Sequence, residues 1–310
     1  MAPDSHTTSR RPPPKAGGGH SCLVTFLVLT VIVGALAAVL GAAAFLTWDK
    51  NTLTIGEGIG VIPIQGAIIQ SEPIIETLVE FRRSDKIKII ILRIDSPGGG
   101  VAQTQEIYRE IKKTKAKKKV IVSMGSVAAS GGLYVAAAAD LVLANAATVT
   151  GSIGVIMQMV NFEDLMGKVG LNSVVIKSGR YKDIGSSSRP MTEEEKLILQ
   201  GVVDQLHQQF VADLAQGRGL EVEKVAALAD GRIFTGLEAQ KLGLVDKIGG
   251  FEDAVALAGA MAGFKERGRL IYPKKSGSWL DEFMGKTPLG ILPEWARQPL
   301  TFQYLYLPGV

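Results

Sequence analysis

Ser130 stands in Met124-Gly-Ser-Val-Ala-Ala-Ser130-Gly-Gly-Leu-Tyr-Val-Ala-Ala-Ala-Ala-Asp140. The apolar run before it reads as a strand, and the Ala-rich run after Gly132 reads as a helix. A hydroxyl just ahead of a helix start lies beside backbone N–H groups that have no helical partner. Such a setting suits a nucleophile that attacks a carbonyl and needs donors for the charge it creates. The same position also suits an N-cap serine. Local spacing leaves both readings open.

A serine nucleophile needs a base, usually histidine. The chain has three: His6, His20 and His207. The first two precede a long apolar run. His207 falls among Leu206, Gln208 and Phe210 in an expected helix and reads as structural. A Ser-His-Asp site is therefore set aside. No His-Glu-x-x-His and no Ser-x-x-Lys occurs. The base of an activated Ser130 is then a lysine or a carboxylate. Ser178-Gly-Arg-Tyr-Lys-Asp-Ile-Gly-Ser186 is a glycine-flanked loop of the kind that presents catalytic groups. By position alone, its Lys182 reads more readily as a surface partner of Asp183 than as a base.

The elements around these residues alternate. Strands are expected at Ile59–Gln65, Ile87–Asp95, Val120–Met124 and Ser173–Lys177. Leu141–Ala144 and Gly154–Met159 are further apolar runs. Helices are expected at Pro73–Arg83, Val101–Thr114, Gly132–Ala139, Asn161–Val169, Leu220–Ala229, Thr235–Lys241 and Phe251–Ala262. A longer helix starts at Thr192 with a Thr192/Glu195 capping box and is expected to end at Gly217. This β-then-α alternation implies an α/β domain with a largely parallel sheet.

Cys22 to Trp48 contains no charged residue and exceeds the ~20 apolar residues that a bilayer core requires. It reads as one transmembrane helix over 22–48. Its length favours a retained anchor over a cleaved leader, for which Ala42 to Ala44 would be the small residues at the cut. Arg10, Arg11 and Lys15 precede it, placing the N-terminus in the cytoplasm and the following domain outside. Residues 1–21 read as a disordered cytoplasmic tail, 49–266 as the folded domain, and 267–310 as an irregular, proline-punctuated C-terminal tail. The net charge is +4. Residues 1–48 carry three basic side chains and one acid, leaving +2 for the rest, which gives no ground for a nucleic-acid partner. The lysines from Lys112 to Lys119 read as a solvated helix end. Cys22 is the one cysteine, so the folded domain has no disulfide and no thiolate site.

Four segments then match a known pattern in order: Asp95-Ser-Pro-Gly-Gly-Gly100, Met124–Gly132, Thr150-Gly-Ser-Ile-Gly-Val155 and Lys177-Ser-Gly-Arg-Tyr-Lys-Asp183. Ala239–Asp246 adds a fifth. The chain resembles the bacterial signal peptide peptidase A family in its half-length form. The resemblance implies a Clp-protease/crotonase-like fold of stacked ββα units and a Ser/Lys dyad. On this sequence, Ser130 would be the nucleophile and Lys182 the general base. Ser152 would orient the lysine, and the N–H groups of Gly99 and Gly131 would form the oxyanion hole. A lysine base must be held neutral, which apolar burial favours. Asp183 would then have to point away from Lys182. The resemblance further implies no cofactor or metal, peptide substrates in the lipid bilayer (remnant signal peptides foremost), and a ring of identical subunits, with each dyad completed either within one chain or between neighbouring chains. The apolar end Gln303–Val310 is expected to reach a substrate groove and be trimmed there. An acyl-CoA enzyme of crotonase type and a non-catalytic membrane scaffold are the alternatives on the same fold.

Overall fold

The computed structural model describes residues 19–47, 56–273 and 303–305. The expected disordered tail lies outside the described residues as far as residue 18. The chain divides into two units, 1–56 and 57–310. In the first, helix α1 (Gly19–Thr47) takes up the apolar run. Its side chains are described over 24–40 and are exposed. Among the described residues no helix is long and apolar enough to cross a membrane.

The second unit runs β1 (Gly58–Gln65), α2 (Glu72–Arg83), β2 (Ile87–Ser96), β3 (Gly98–Gly100), α3 (Val101–Lys115), β4 (Val120–Ala129), α4 (Gly131–Ala137), β5 (Leu141–Ala144), β6 (Val149–Gly151), α5 (Glu163–Lys168), α6 (Glu193–Arg218), α7 (Val222–Ala226), β7 (Ile233–Thr235), α8 (Gly236–Leu242), β8 (Lys247–Ile248), α9 (Phe251–Met261), β9 (Leu270–Ile271) and β10 (Gln303–Leu305). The main sheet has the order β7-β6-β4-β2-β1-β9, with β5 beside β4 and β8 beyond it. Every described pairing in it is parallel except β6 with β7. Both sheet faces are covered, which explains the unbroken β-branched run of β2. Ile90, Leu92 and Ile94 enter a core shared with residues of α2, α3, α4 and α6. Ile89 and Ile91 enter a second core against α9.

α4 is apolar all round, and all seven of its residues are buried. Tyr134 stacks with Tyr108 of α3 (ring centroids 5.0 Å) and Phe210 of α6 (4.8 Å). Asp213 accepts from Tyr134 Oη, and its carbonyl accepts from Tyr108 Oη at 2.9 Å. Burial, then the Asp213 charge, pushes the Tyr108 hydroxyl up to about 12, so it remains a hydrogen-bond donor at neutral pH. The helix that carries Ser130 at its start is thus locked from two sides.

The Thr192/Glu195 capping box forms as the sequence indicates. The helix ends two residues later than expected, at Gly219 in the left-handed region (φ 63°). Gly217 serves another purpose: a Cβ there would lie 2.3 Å from the Ala137 carbonyl oxygen, so only glycine lets α6 reach the end of α4. Ser173–Lys177 is not a strand. Val174 and Ile176 are 85% and 98% exposed, and no described strand offers it an edge. The region after 266 is not wholly irregular, because β9 joins β1 and β10 joins β3. The lysine cluster is more anchored than a solvated end. Lys115 bonds the Ala139 carbonyl at 3.0 Å, Lys118 the Phe81 carbonyl at 2.7 Å, and Lys119 pairs with Asp140 at 2.9 Å.

Candidate active site

Ser130 occupies the turn between β4 and α4 with φ 51° and ψ −115°. Ser130 and Ser152 are the only non-glycine residues with positive φ among the described residues. Each such conformation costs on the order of 1–3 kcal/mol and persists only where surrounding structure enforces it. The enforcement is visible. Ala129 pairs with Gly151, so Ser130 and Ser152 leave two adjacent parallel strands at the same level. Ser130 N–H donates to Gly151 O at 2.8 Å, and Ser152 N–H donates to Arg232 O at 2.7 Å. Ser130 is buried (1% exposed), and its hydroxyl makes no capping bond to α4. The N-cap reading therefore fails.

The glycine run forms the opposite wall. Ile68 N–H donates to Gly98 O at 2.7 Å, and Gly100 N–H donates to Ile68 O at 2.9 Å. Successive residues of a strand direct their polar groups to alternate edges, so the N–H and C=O of Gly99 face the other way. Ser96 Oγ accepts from Gly98 N–H at 3.1 Å and holds the turn. The start of α4 abuts this strand: a Cβ on Gly131 would lie 3.1 Å from Gly98 Cα and 3.2 Å from Gly99 N. A Cβ on Gly99 would lie 2.1 Å from Ile68 O. A side chain is excluded at Gly99 and crowded at Gly131, so glycine lets the two backbones approach closely.

The edge that Gly99 presents is occupied. β10 pairs antiparallel with β3, placing Gln303 opposite Gly100, Tyr304 opposite Gly99 and Leu305 opposite Gly98. The C-terminal segment thus lies as an added strand on the glycine run, the way an extended peptide adds to a sheet edge. Its further residues, to Val310, lie outside the described residues. A cavity of about 530 Å³ opens elsewhere, lined by Ile69–Pro73 and Glu106, and Ser130 does not line it.

Lys182 is not brought to Ser130 within the chain. It is exposed on a turn, its N–H donating to Gly179 O at 3.1 Å, and no described hydrogen bond or ion pair joins the two residues. The loop that carries it is held firmly nonetheless. Asp183 is bound by Lys177 and by Arg189 (Nε 2.9 Å), and Arg189 grips Glu195 at 2.5 and 2.9 Å. Hydrogen bonds from Arg189 and then Lys177 hold the Asp183 carboxyl far below the usual range. Its charge is engaged there and not by Lys182. His207 bonds the Ala229 carbonyl at 2.9 Å, a structural role. Among the described residues, no cluster of His, Cys, Asp and Glu is arranged to hold a metal ion. Sequence reasoning passed over the pairing of β10 with β3 in its register, since a tail strand shows no periodicity of its own.

Residues 112–265 match the model of peptidase family S49, and residues 62–161 match that of Clp protease. A Synechocystis sp. protein carrying a provisional protease name is 51% identical over 178 residues, covering 57% of this chain and 64% of its own. The chloroplastic serine protease SPPA of Arabidopsis thaliana is 38% identical over 200 residues, 64% of this chain and 30% of its own. Protease 4 of Salmonella typhi is 32% identical over 227 residues, 70% of this chain and 37% of its own. The chain spans less than two thirds of each of these relatives.

Proposed function

Since the chain belongs to the signal peptide peptidase A family, we propose that it is a serine endopeptidase with Ser130 as nucleophile and Lys182, from a neighbouring copy, as general base. The observation that carries the reading is the enforced turn at Ser130 beside the two glycine backbones. Neutral Lys182 would take the Ser130 proton as Oγ attacks a peptide carbonyl. The N–H groups of Gly99 and Gly131 would receive the oxyanion, and Ser152, level with Ser130 on the adjacent strand, would orient the lysine amine. The lysine then returns its proton to the leaving amine.

Two features support completion between chains. Ser130 is buried while Lys182 is exposed. The segment leading to Lys182 exposes Leu165, Val169, Leu171, Val174 and Ile176, an apolar face that no described residue covers. A closed ring of copies would cover it and remove water from the lysine. The substrate class is apolar, membrane-associated peptide, remnant signal peptides foremost. Residues 22–48 would anchor the enzyme as a single span, with the N-terminus cytoplasmic and the peptidase domain outside. β10, with Tyr304 opposite Gly99, would follow the path of such a substrate, and the chain's own end would be trimmed on it.

The test is hydrolysis of a fluorogenic apolar peptide. Ser130→Ala and Lys182→Ala should each abolish turnover, and a mixture of the two variants reassembled together should regain part of it. If both variants keep wild-type activity, the peptidase reading fails. If the mixture stays inactive while a chain-linked wild type works, the dyad lies within one chain. An intact Val310 on purified active enzyme would remove the trimming step.

A further inference from the structure

β4 changes neighbours midway. Its residues Ile121–Ser123 pair with β5, and Val127–Ala129 pair with β6. Against β2 on the other side, Ile94 faces Met124 and Ser96 faces Ala128, so Asp95 stands opposite the three residues Gly125, Ser126 and Val127. Such a bulge re-aims the strand and takes backbone groups out of the ladder. Side chains answer them. Asp95 Oδ1 accepts from Val127 N–H at 3.0 Å. Thr148 Oγ1 donates to Gly125 O at 2.7 Å. Met124 O accepts from Arg93 at 2.9 Å and from Asn145 at 3.3 Å. The Asp95 carboxyl lies so close that a Cβ on Gly125 would stand 2.7 Å from its carbon.

The bulge ends three residues before Ser130, and Asp95 begins the run that reaches Gly99 four residues later. The backbone of Asp95 leads to one oxyanion donor, and its side chain holds the strand that delivers the nucleophile. We propose that Asp95 is a positioning residue that sets the spacing between Ser130 and Gly99 through the Val127 N–H, with Thr148 as the second clamp on the same bulge. The role is that of an acceptor at a fixed place, and the negative charge is not needed for it. This inference rests on Ser130 being the nucleophile.

The test uses the full chain and the same peptide assay, with melting temperature measured alongside. Misplacement of a reacting group by about 1 Å costs on the order of 100-fold. Asp95→Ala should therefore lower kcat by about that factor with KM nearly unchanged, in protein that remains folded. Asp95→Asn keeps Oδ1 and should return kcat to within about threefold of wild type, because the neutral amide oxygen still accepts. Thr148→Val should lower kcat about tenfold, part of the same misplacement. Wild-type kcat in folded Asp95→Ala overturns the proposal, as does an Asp95→Asn enzyme no faster than Asp95→Ala, or activity that merely follows the folded fraction. Ser130→Ala separates the two levels. If it is active, the nucleophile assignment falls. If it is inactive while Asp95→Ala is fully active, only the positioning role falls.

Discussion

Replacing Gly99 by alanine tests the oxyanion wall most directly. The added Cβ would lie 2.1 Å from Ile68 O and 2.6 Å from Ile68 N. Both are backbone atoms held by the two bonds to Gly98 and Gly100, so no side chain can move aside. Restoring an ordinary contact of about 3.3 Å requires a shift of about 1.2 Å in the Gly98–Gly100 strand, more than a close-packed wall absorbs without losing contacts. A donor about 2.9 Å from the oxyanion would retreat beyond hydrogen-bonding range. Loss of one such donor costs about 2.7–4 kcal/mol in the barrier, or 10²–10³ in kcat. Gly131→Ala meets atoms at 3.0–3.2 Å, one of them the Thr104 hydroxyl, and should lose about tenfold, since small displacements weaken a donor without removing it. Gly154→Ala, whose Cβ has nothing nearer than 3.9 Å, should be near wild type. Steady-state kinetics on a fluorogenic peptide, paired with thermal melts, gives the order. If folded Gly99→Ala keeps kcat within threefold, Gly99 is not a donor to the oxyanion; if Gly154→Ala loses more than Gly131→Ala, Gly131 is not one.

The same helix α6 should respond in opposite senses to two alanines: Gly217→Ala collides with Ala137 and should destabilise by about 1–3 kcal/mol, whereas Gly201→Ala has open space and should stabilise by about 0.5–1 kcal/mol. Equal effects in chemical denaturation would contradict this packing. The loop bearing Lys182 should loosen in acid. Arg189, then the Thr192 N–H, draws the Glu195 carboxyl down from 4.5 to about 2, so its stabilisation is present above its ordinary range and lost as pH falls from there towards 2. Amide protection over residues 178–192, referred to the intrinsic exchange rate at each pH, should fall as pH drops from about 5 towards 2, and unchanged protection would count against the Arg189 network. Ile176→Asp places a charge on the exposed apolar segment and should shift the assembly towards monomer in light scattering, with activity falling in parallel. A monodisperse oligomer of wild-type size and full activity would refute the ring contact.

Several features were legible in the chain because their causes are local or repetitive. The β-branched run of Ile87–Asp95 can only belong to a strand covered on both faces. Thr192 and Glu195 are three residues apart and form their reciprocal cap without help from elsewhere. The absence of a usable histidine excludes a Ser-His pair and leaves a lysine or a carboxylate as the base. Other features depend on neighbours remote in sequence. Ser173–Lys177 has strand-like residues but no described edge to pair with, and Gly217 looks like a helix end until Ala137 is seen beside it. The sequence by itself determined the α/β alternation, the capped long helix, the glycine-flanked serine and the apolar run at the N-terminus, since period, propensity and residue chemistry act within a few residues. Only the tertiary structure decided that Ser130 and Ser152 leave adjacent strands at one level, that a bulge bonded by Asp95 precedes the first, that Tyr304 lies opposite Gly99, and that Lys182 remains at the surface. Those are matters of register and close approach, set by contacts between segments tens to hundreds of residues apart, and no local preference encodes them.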